Sequence, residues 1–346
     1  MSGSFTNPKA SMAGSSAERA ANGESIAVRD QAIWRRILAT GEVLTLSLVV
    51  ATLLAATAGS FWLGDLAVHF PVQYAGLGLL AFVLFLAVRR PGWAALALAI
   101  AATNAMSAAP ALATRPLAPL PHAVADPVHA RVASINVLYQ NDEYGRVVDF
   151  VHREKPDAVV LVEMTPEWHR GLAVLLKEFP YRYQTQGTSG RGVTMWSRFP
   201  MKDVGVLPIE ARQEPAIQAT LQLQGRSLRL FGVHTSWPIG KGSSDRRNRQ
   251  LERLAALSSA TATPLVVVGD LNISPFSPHF RQLLADGKLK SAADGFGWQP
   301  TWPSFLLPAG IQIDHGLVNG AVSVQGFHRG GRDGSDHLPI VLDVVL

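Results

Sequence analysis

The sequence predicts an α/β (α+β) protein in which helices cover a mixed sheet or a pair of sheets, preceded by three transmembrane helices. Three observations predict this. Long uncharged apolar stretches lie within the first 113 residues. After residue 130, short apolar runs alternate with segments whose apolar residues recur at helical spacing. Hairpin signals stand among those runs, which favours a mixed arrangement over an all-parallel one.

The composition excludes several kinds of chemistry. The chain has 346 residues, of which 48% are hydrophobic, so some apolar sequence is expected outside a soluble core. It contains no cysteine, which excludes disulfides, zinc–thiolate sites and thiol nucleophiles. The formal net charge of +5 is too small to indicate a nucleic-acid-binding surface.

The N-terminal third is predicted to be a tail followed by membrane helices. Residues 1–36 are expected to form a disordered cytoplasmic tail, because most of them are small or polar. A cleavable signal peptide would need its apolar stretch much nearer Met1. Residues 37–113 are predicted to form a three-helix transmembrane region. Its spans are Val43–Leu63, Val72–Val88 and Trp93–Ala113. The alternative, buried helices of a soluble protein, is disfavoured because three such stretches in a row are rare in a soluble core.

The positive charges predict how these spans are oriented. Arg35 and Arg36 precede the first span, and Arg89 and Arg90 separate the second from the third. The turn between the first two spans has no lysine or arginine. The N-terminus is therefore predicted to be cytoplasmic, and three spans place the rest of the chain on the outer side. We expect a multi-pass protein of a bacterial inner (cytoplasmic) membrane whose C-terminal domain faces the periplasm.

The remaining chain is predicted to be a Pro-rich linker at 114–129 and a folded domain at 130–346. Its helices are predicted at 144–155, where the helix stops before Pro156, and at 166–180, 244–260 and 277–287. Its strands are predicted at 131–139, 158–164, 192–200, 264–272, 313–329 and 337–346, with a hairpin at 217–237 that turns near Gly225. The basic run Lys241–Arg253 is predicted to be a solvated helix face, with contact to a phosphate backbone or anionic lipid as the alternative.

Polar side chains stand at the ends of the apolar strands. They are Asn136, Glu163, His234, Asp270, Asn272, Asp314, His315, Asp336 and His337. A charge beside a buried strand is costly unless it is paired or bound to metal. Carboxylates without thiolates favour Mg²⁺ or Mn²⁺, and an acid near a histidine can activate water. If the strands share a sheet edge, this set suits hydrolysis of a phosphoryl ester.

The segment PLVVVGDLNISP, residues 264–275, is the most informative of these strand ends. Asp270 and Asn272 lie two residues apart, so strand periodicity predicts that both face one side. Gly269 is expected to let the backbone turn at the edge of the sheet. The alternative is an Asx turn that closes the strand.

Six segments in order resemble the endonuclease/exonuclease/phosphatase superfamily, which has the deoxyribonuclease-I-like fold. They are SINVLY, VLVEM, FGVHTSWP, VVGDLNISP, QIDHGLV and GSDHLPIVLDV. The TWP…IDH pattern of residues 301–315 is most similar to the bacterial membrane-anchored branch. The resemblance covers residues 131–346 and implies a four-layer α/β/β/α sandwich of two mixed sheets.

The resemblance also implies a metal site. Glu163 is similar to the family's principal metal ligand, Asn136 to the amide that supports metal and phosphate, and Asp336 to an acid that serves the metal site. The implied cofactor is Mg²⁺ or Mn²⁺. Val162 stands where the family often has Gln, which removes a possible supporting donor. His315 matches no general family position, and a structural role is expected for it.

The catalytic roles follow from the same resemblance. Asp270 is similar to the carboxylate that orients or deprotonates the attacking water, and Asn272 to an amide that holds the phosphate. His337 is similar to the imidazole that contacts the phosphate, and Asp314 to the acid that orients this imidazole. His234 is similar to a strand-end histidine that assists the leaving group or phosphate.

Together these features predict a membrane-anchored, metal-dependent phosphoesterase. Its expected substrate is a phosphodiester, in nucleic acid or in a lipid headgroup, attacked in line by a water that Asp270 activates. The alternative is a non-catalytic phosphate- or lipid-binding domain on the same fold. The sequence indicates no protein partner.

Overall fold

The N-terminal region contains four helices. The structure is a computed structural model that describes residues 8–114, 127–185, 192–210 and 216–346. The helices are α1 (Pro8–Ala55), α2 (Trp62–Ala67), α3 (Pro71–Ala87) and α4 (Pro91–Leu112). Because α1 begins at Pro8, it includes most of the segment predicted to be a disordered tail. Alanine and other good helix formers dominate that segment, which favours the helix. The first seven residues of the predicted tail lie outside the described residues.

Two of these helices are long and apolar enough to cross a membrane, where the sequence predicted three spans. They are Gln31–Ala55 and Pro91–Leu112. The predicted first span Val43–Leu63 runs past the end of α1, because the Thr, Gly and Ser residues after Ala55 are poor helix formers. The predicted second span corresponds to α3, which has only 17 residues.

The C-terminal domain alternates strands with helices as the sequence predicted. Its strands are β1 (His129–Asn136), β2 (Ala158–Met164), β3 (Tyr181–Gln184), β4 (Gly192–Ser197), β5 (Met201–Leu207), β6 (Ala216–Leu223), β7 (Arg226–His234), β8 (Leu265–Asp270), β9 (Leu289–Ser291), β10 (Asp314–Asn319), β11 (Ser323–Arg329) and β12 (Ile340–Val345). Its helices are α5 (Tyr144–Glu154), α6 (Pro166–Gly171), α7 (Lys241–Ser259) and α8 (Pro278–Gly287). Most of the predicted linker, residues 115–126, lies outside the described residues.

The strands form two mixed six-stranded sheets. Their orders are β11-β12-β1-β2-β4-β3 and β5-β6-β7-β8-β10-β9. Each sheet has a parallel pair at its centre, β1 with β2 and β7 with β8, flanked by antiparallel partners. The prediction of two mixed sheets with helices is confirmed. The two parallel pairs matter for function, because parallel strands end at the same edge of their sheet.

Three apolar clusters hold the layers together. One lies between the two sheets and joins residues such as Val160 of β2 and Leu230 of β7. A second packs α7 and α8 on the outer face of one sheet, and a third packs α5 and α6 on the outer face of the other. The three clusters fill the interfaces between four layers, in the order helices, sheet, sheet, helices. This arrangement agrees with the predicted α/β/β/α sandwich.

The chain divides into two compact units. One unit comprises Met1–Val50 and Gly76–Ala101, and the other comprises Ala51–Ala75 and Ala102–Leu346. The connection between the first hydrophobic helix and α3 therefore belongs to the same compact unit as the sandwich.

Candidate active site

Strand ends from both sheets bring the predicted polar residues to one edge of the sandwich. Asp314, the first residue of β10, pairs with Asp270, the last residue of β8, because these strands are antiparallel. His234 ends the parallel neighbour β7 and pairs with the same residue. From the other sheet, Asn136 ends β1, and His337 stands just before β12, which runs antiparallel to β1.

One carboxylate oxygen lies at the centre of this group. Asp270 Oδ2 is 3.2 Å from Asn136 Nδ2, 3.7 Å from His337 Nε2 and 3.8 Å from His234 Nε2. Asp270 itself is only 2% exposed. Donors from both sheets thus surround a single buried acceptor.

Asp314 fixes the orientation of His337. Its Oδ2 lies 2.9 Å from His337 Nδ1, and its backbone N–H donates to Thr301 Oγ1 at 3.2 Å. The backbone N–H of His337 donates to Ser335 Oγ at 3.1 Å. These bonds direct His337 Nε2 towards Asp270. The arrangement agrees with the predicted role of Asp314 as the acid that orients the His337 imidazole.

Burial and neighbouring charges shift the pKa values of Asp270 and His337. Burial raises the pKa of Asp270 to about 7, against the lowering effect of His337, and the nearby Asp314 and Glu163 carboxylates raise it further. Burial alone would lower the pKa of His337, but Asp314 and Asp270 outweigh it and raise that pKa to about 10. A carboxyl that titrates near neutral pH beside a cationic imidazole suits proton transfer.

Glu163 lies at a bulge near the end of β2. The pairing of β2 with β4 shifts between Val162 and Met164, and Glu163 has φ 62°. Its carboxylate accepts hydrogen bonds from Asn136 Nδ2 at 3.4 Å and from the Tyr139 backbone N–H at 3.2 Å. The bulge turns this side chain to the same edge and leaves it more exposed than Asp270.

Strand periodicity is the wrong explanation for the pairing of Asp270 with Asn272. β8 ends at Asp270, and Asn272 has φ 47°, which lies in the left-handed region. The backbone N–H of Asn272 donates to Asp270 Oδ1 at 2.9 Å, which is the Asx-type bond that the alternative interpretation predicted. The side-chain amide of Asn272 donates to the Thr235 carbonyl at 2.9 Å. The Asx-type turn after β8 therefore also holds Asp270 and Asn272 in the candidate site.

Two further predicted positions have well-defined surroundings. Asp336 Oδ2 accepts from the Trp302 indole at 2.9 Å, and its other carboxylate oxygen is buried without a hydrogen-bond partner among the described residues. His315 is fully buried, lies against the ring of Phe280, and bonds through Nε2 to the Ile273 carbonyl at 2.7 Å. His315 thus braces the chain after Asp270 from outside the cluster.

The sequence interpretation missed Arg247. This residue belongs to the basic run predicted to be a solvated helix face, yet it is 0% exposed. Its Nη1 donates to the Asn272 carbonyl at 2.9 Å, and its Nη2 pairs with Asp65 of α2. Helical spacing gives one signal: Arg247 lies four residues before Leu251 and seven before Leu254, both of which are buried.

The donor set fits a hard divalent cation. Asp270, Asp314 and His337 offer ligand atoms within 4.8 Å of one another, although Asp314 and His337 already bond to each other. Glu163 adds a more open carboxylate, so three acids face one imidazolium. A cation would offset this excess of negative charge, and oxygen donors without thiolates suit Mg²⁺ or Mn²⁺.

Comparison with known proteins gives one family and a consistent fold. Residues 133–337 match the profile described as Endonuclease/Exonuclease/phosphatase family. The structure of such a family protein from Bacteroides thetaiotaomicron has a TM-score of 0.55 at 16% identity, over 64% of this chain and 96% of that chain. The corresponding protein from Beutenbergia cavernae gives 0.53 at 20% identity, over 63% and 72%. D. rerio TDP2 complexed with single-strand DNA product gives 0.53 at 17% identity, over 62% and 98%. No curated protein matches the chain in sequence.

Proposed function

The chain belongs to the endonuclease/exonuclease/phosphatase family, and from that premise we propose that it is a membrane-anchored, divalent-metal-dependent phosphoesterase that hydrolyses a phosphodiester. One observation carries the proposal. Asp270 Oδ2 is a buried acceptor that faces Asn136, His337 and His234 from strands of both sheets. Such a convergence has no packing benefit of its own, because burying these groups together is costly.

Asp270 acts as the base in this proposal. Its pKa of about 7 lets it take a proton from a water molecule that attacks phosphorus in line with the leaving oxygen. His337, held by Asp314, donates from Nε2 to a phosphoryl oxygen as negative charge develops there. Asn272 supports the same oxygens with the amide hydrogen that is not bonded to Thr235, and His234 assists the leaving group.

Glu163 is the principal metal ligand of the proposal. Asn136 supports it by donating to its carboxylate, and Asp336 contributes the buried carboxylate oxygen that lacks a hydrogen-bond partner among the described residues. When bound there, Mg²⁺ or Mn²⁺ supplies Lewis-acid charge that stabilises the phosphoryl and leaving oxygens.

The membrane topology of the proposal rests on the positive charges. Arg35 and Arg36 precede the first hydrophobic helix, and Arg89 and Arg90 separate α3 from α4, which favours a cytoplasmic location for both pairs. In this proposal α3 crosses the membrane as well as α4, although α3 has only 17 residues. The N-terminus then lies in the cytoplasm and the sandwich in the bacterial periplasm, in agreement with the positive charges.

Reporter fusions test this topology. Alkaline phosphatase fused after Ala125 should be active, because the enzyme matures only outside the cytoplasm, and the matched fusion after Arg90 should be inactive. The reverse pattern, or activity of both fusions, would contradict the proposed orientation.

The substrate class is a phosphodiester, for which two sources have support. D. rerio TDP2 was solved with a single-strand DNA product, which favours nucleic acid. The hydrophobic helices favour a lipid headgroup, and so do the exposed side chains of Trp237 and Phe305 in loops near the strand ends. Both sources present the same phosphodiester to Asp270.

Hydrolysis assays on the full chain in detergent micelles test the function. Plasmid DNA, a phospholipid and an aryl phosphodiester are each incubated with Mg²⁺, with Mn²⁺ and with EDTA. We expect turnover with metal and none with EDTA. Asp270→Ala and His337→Ala should each lower kcat at least about a hundredfold, whereas Asp245→Ala, on the exposed face of α7, should not. Metal-independent turnover, or full activity of both site variants, would refute the mechanism. Binding of phosphate without any turnover would support the non-catalytic alternative.

A further inference from the structure

We infer that residues 61–73, which run from the start of α2 into the first turn of α3, are part of the active site's support, and that Asp65 and Arg247 are positioning residues for Asn272. We call residues 61–73 the docking segment and residues 271–277 the active-site loop. The catalytic part of this inference rests on the proposed function.

A buried ion pair joins the docking segment to the sandwich. Asp65 of α2 is 1% exposed and Arg247 of α7 is 0% exposed. Asp65 Oδ2 pairs with Arg247 Nη2, and Asp65 Oδ1 accepts from Ser277 Oγ at 2.9 Å. Both carboxylate oxygens are therefore satisfied, which is the condition under which a buried charge pair is tolerated.

Two more contacts extend the docking segment along the same side of the sandwich. His69 Nδ1 lies 2.8 Å from Ser274 Oγ, and Gln73 Nε2 donates to the Gly310 carbonyl at 2.8 Å. His69 is 4% exposed. Asp65, His69 and Gln73 bond to four residues of the sandwich. Two of these, Ser274 and Ser277, lie in the active-site loop, and a third, Arg247, bonds to it.

Arg247 transmits this support to Asn272. Its Nη1 donates to the Asn272 carbonyl at 2.9 Å, while its Nη2 is held by Asp65. Asn272 has φ 47°, a conformation that costs a side-chain-bearing residue free energy unless its surroundings hold it. Its N–H is held by Asp270, its amide by the Thr235 carbonyl and its C=O by Arg247.

The arrangement predicts a specific consequence of removing the charge at residue 65. Arg247 would lose its counter-ion, and its side chain would move towards water because an unpaired buried charge is costly. The Asn272 carbonyl would then lose its donor, and the turn that also fixes Asp270 Oδ1 would relax. Small misplacements of groups that act on the transition state lower kcat more than they raise KM.

The test compares variants of the full chain in detergent micelles with an aryl phosphodiester and Mg²⁺. Asp65→Asn should lower kcat on the order of 10- to 100-fold with KM changed much less. The matched control, Asp245→Asn, removes an exposed partner of Lys241 on the same helix and should change neither. Hydrogen–deuterium exchange should increase in residues 271–277 of Asp65→Asn and stay unchanged in β6.

A double variant separates positioning from stability. Asp65→Leu with Arg247→Met replaces the ion pair by apolar side chains, which often restores stability, but it cannot restore the donor to the Asn272 carbonyl. We expect the melting temperature of the double variant to approach that of the wild type and its kcat to stay as low as that of Asp65→Asn. Recovery of kcat along with the melting temperature would overturn the positioning role, and so would an unchanged kcat in Asp65→Asn. If the wild type hydrolyses none of the substrates, the proposed function fails. Hydrogen–deuterium exchange alone then tests whether the docking segment supports the active-site loop. Raised exchange in residues 271–277 of Asp65→Asn then supports it, and unchanged exchange overturns it.

Discussion

Replacing Gly269 by alanine should disrupt the centre of the site without removing any polar side chain. Gly269 precedes Asp270 in β8 and has φ 145°, a backbone conformation that side-chain-bearing residues rarely adopt. A Cβ at this position would overlap the carbonyl oxygen of Val233 in β7. That oxygen belongs to the backbone of the neighbouring strand, so it cannot rotate away.

The expected cost combines two effects. The backbone strain at a positive φ is about 1–3 kcal/mol. Relieving the overlap requires β7 and β8 to separate locally, which weakens at least one or two ladder hydrogen bonds at about 1 kcal/mol each. The sum is about 2–5 kcal/mol, out of a total stability of about 5–15 kcal/mol for a typical domain. For a domain of this size it corresponds to a loss of about 4–20 °C in melting temperature.

Thermal unfolding of the full chain, followed by tryptophan fluorescence, measures this loss. Gly205→Ala is the matched control, because Gly205 lies in β5 of the same sheet and a Cβ there would meet no atom within 4 Å. We expect the control to change stability by less than about 1 kcal/mol. Since Asp270 is attached to the displaced backbone, Gly269→Ala should also lower kcat. Equal melting temperatures for the two variants would refute the reasoning.

Two further predictions concern the orienting acid and the effect of pH. Asp314→Asn removes the charge that holds His337, so kcat on an aryl phosphodiester should fall about a hundredfold or more; an unaltered kcat would contradict the role of this pair. Burial lowers the pKa of His69 and of His315 to about 4 from 6.5, so between these values the unfolded chain binds protons that the folded protein excludes. Each histidine therefore contributes a loss of stability as the pH falls through that window, by up to about 3 kcal/mol. The raised pKa values of about 7 at Asp270 and Asp333 act in the opposite direction over the same window, and they are common to the wild type and to a variant with both histidines replaced by Gln. Between pH 6.5 and 4 the melting temperature of that variant should therefore rise relative to that of the wild type; a constant difference would count against the prediction.

The interior strands were predictable from the sequence, and three of the four edge strands were not. β2 and β8 are continuous apolar runs, because both faces of a central strand are covered by other layers. The strands that the sequence did not reveal, β3, β5 and β9, all lie at the edges of their sheets. An edge strand pairs on one side only, and these three are short or partly exposed. Their burial pattern is therefore too weak to separate them from loops.

The polar residues of the site were predictable for a similar reason. An acid or amide next to an apolar run is conspicuous: Asn136 and Asp270 each end an apolar strand, and Asp314 begins one. The local geometry was less predictable. Glu163 reaches the site through a bulge and Asn272 through a left-handed turn. Neither feature leaves a periodic signal, because each depends on a single backbone angle.

The support behind the active-site loop shows where local patterns lose their predictive value. Asp65 and Arg247 are separated by 182 positions, and each lies in a segment that looks solvated when it is considered alone. Periodicity assigns a residue to a face of its own helix, but it does not indicate which distant segment covers that face. Here the cover comes from a connection between hydrophobic helices, and it encloses Arg247 completely. A chain cut after the helices would leave Arg247 and the serines of the active-site loop without these partners. The region proposed to anchor the protein therefore also supplies partners to the active-site loop, and activity should be measured on the intact chain.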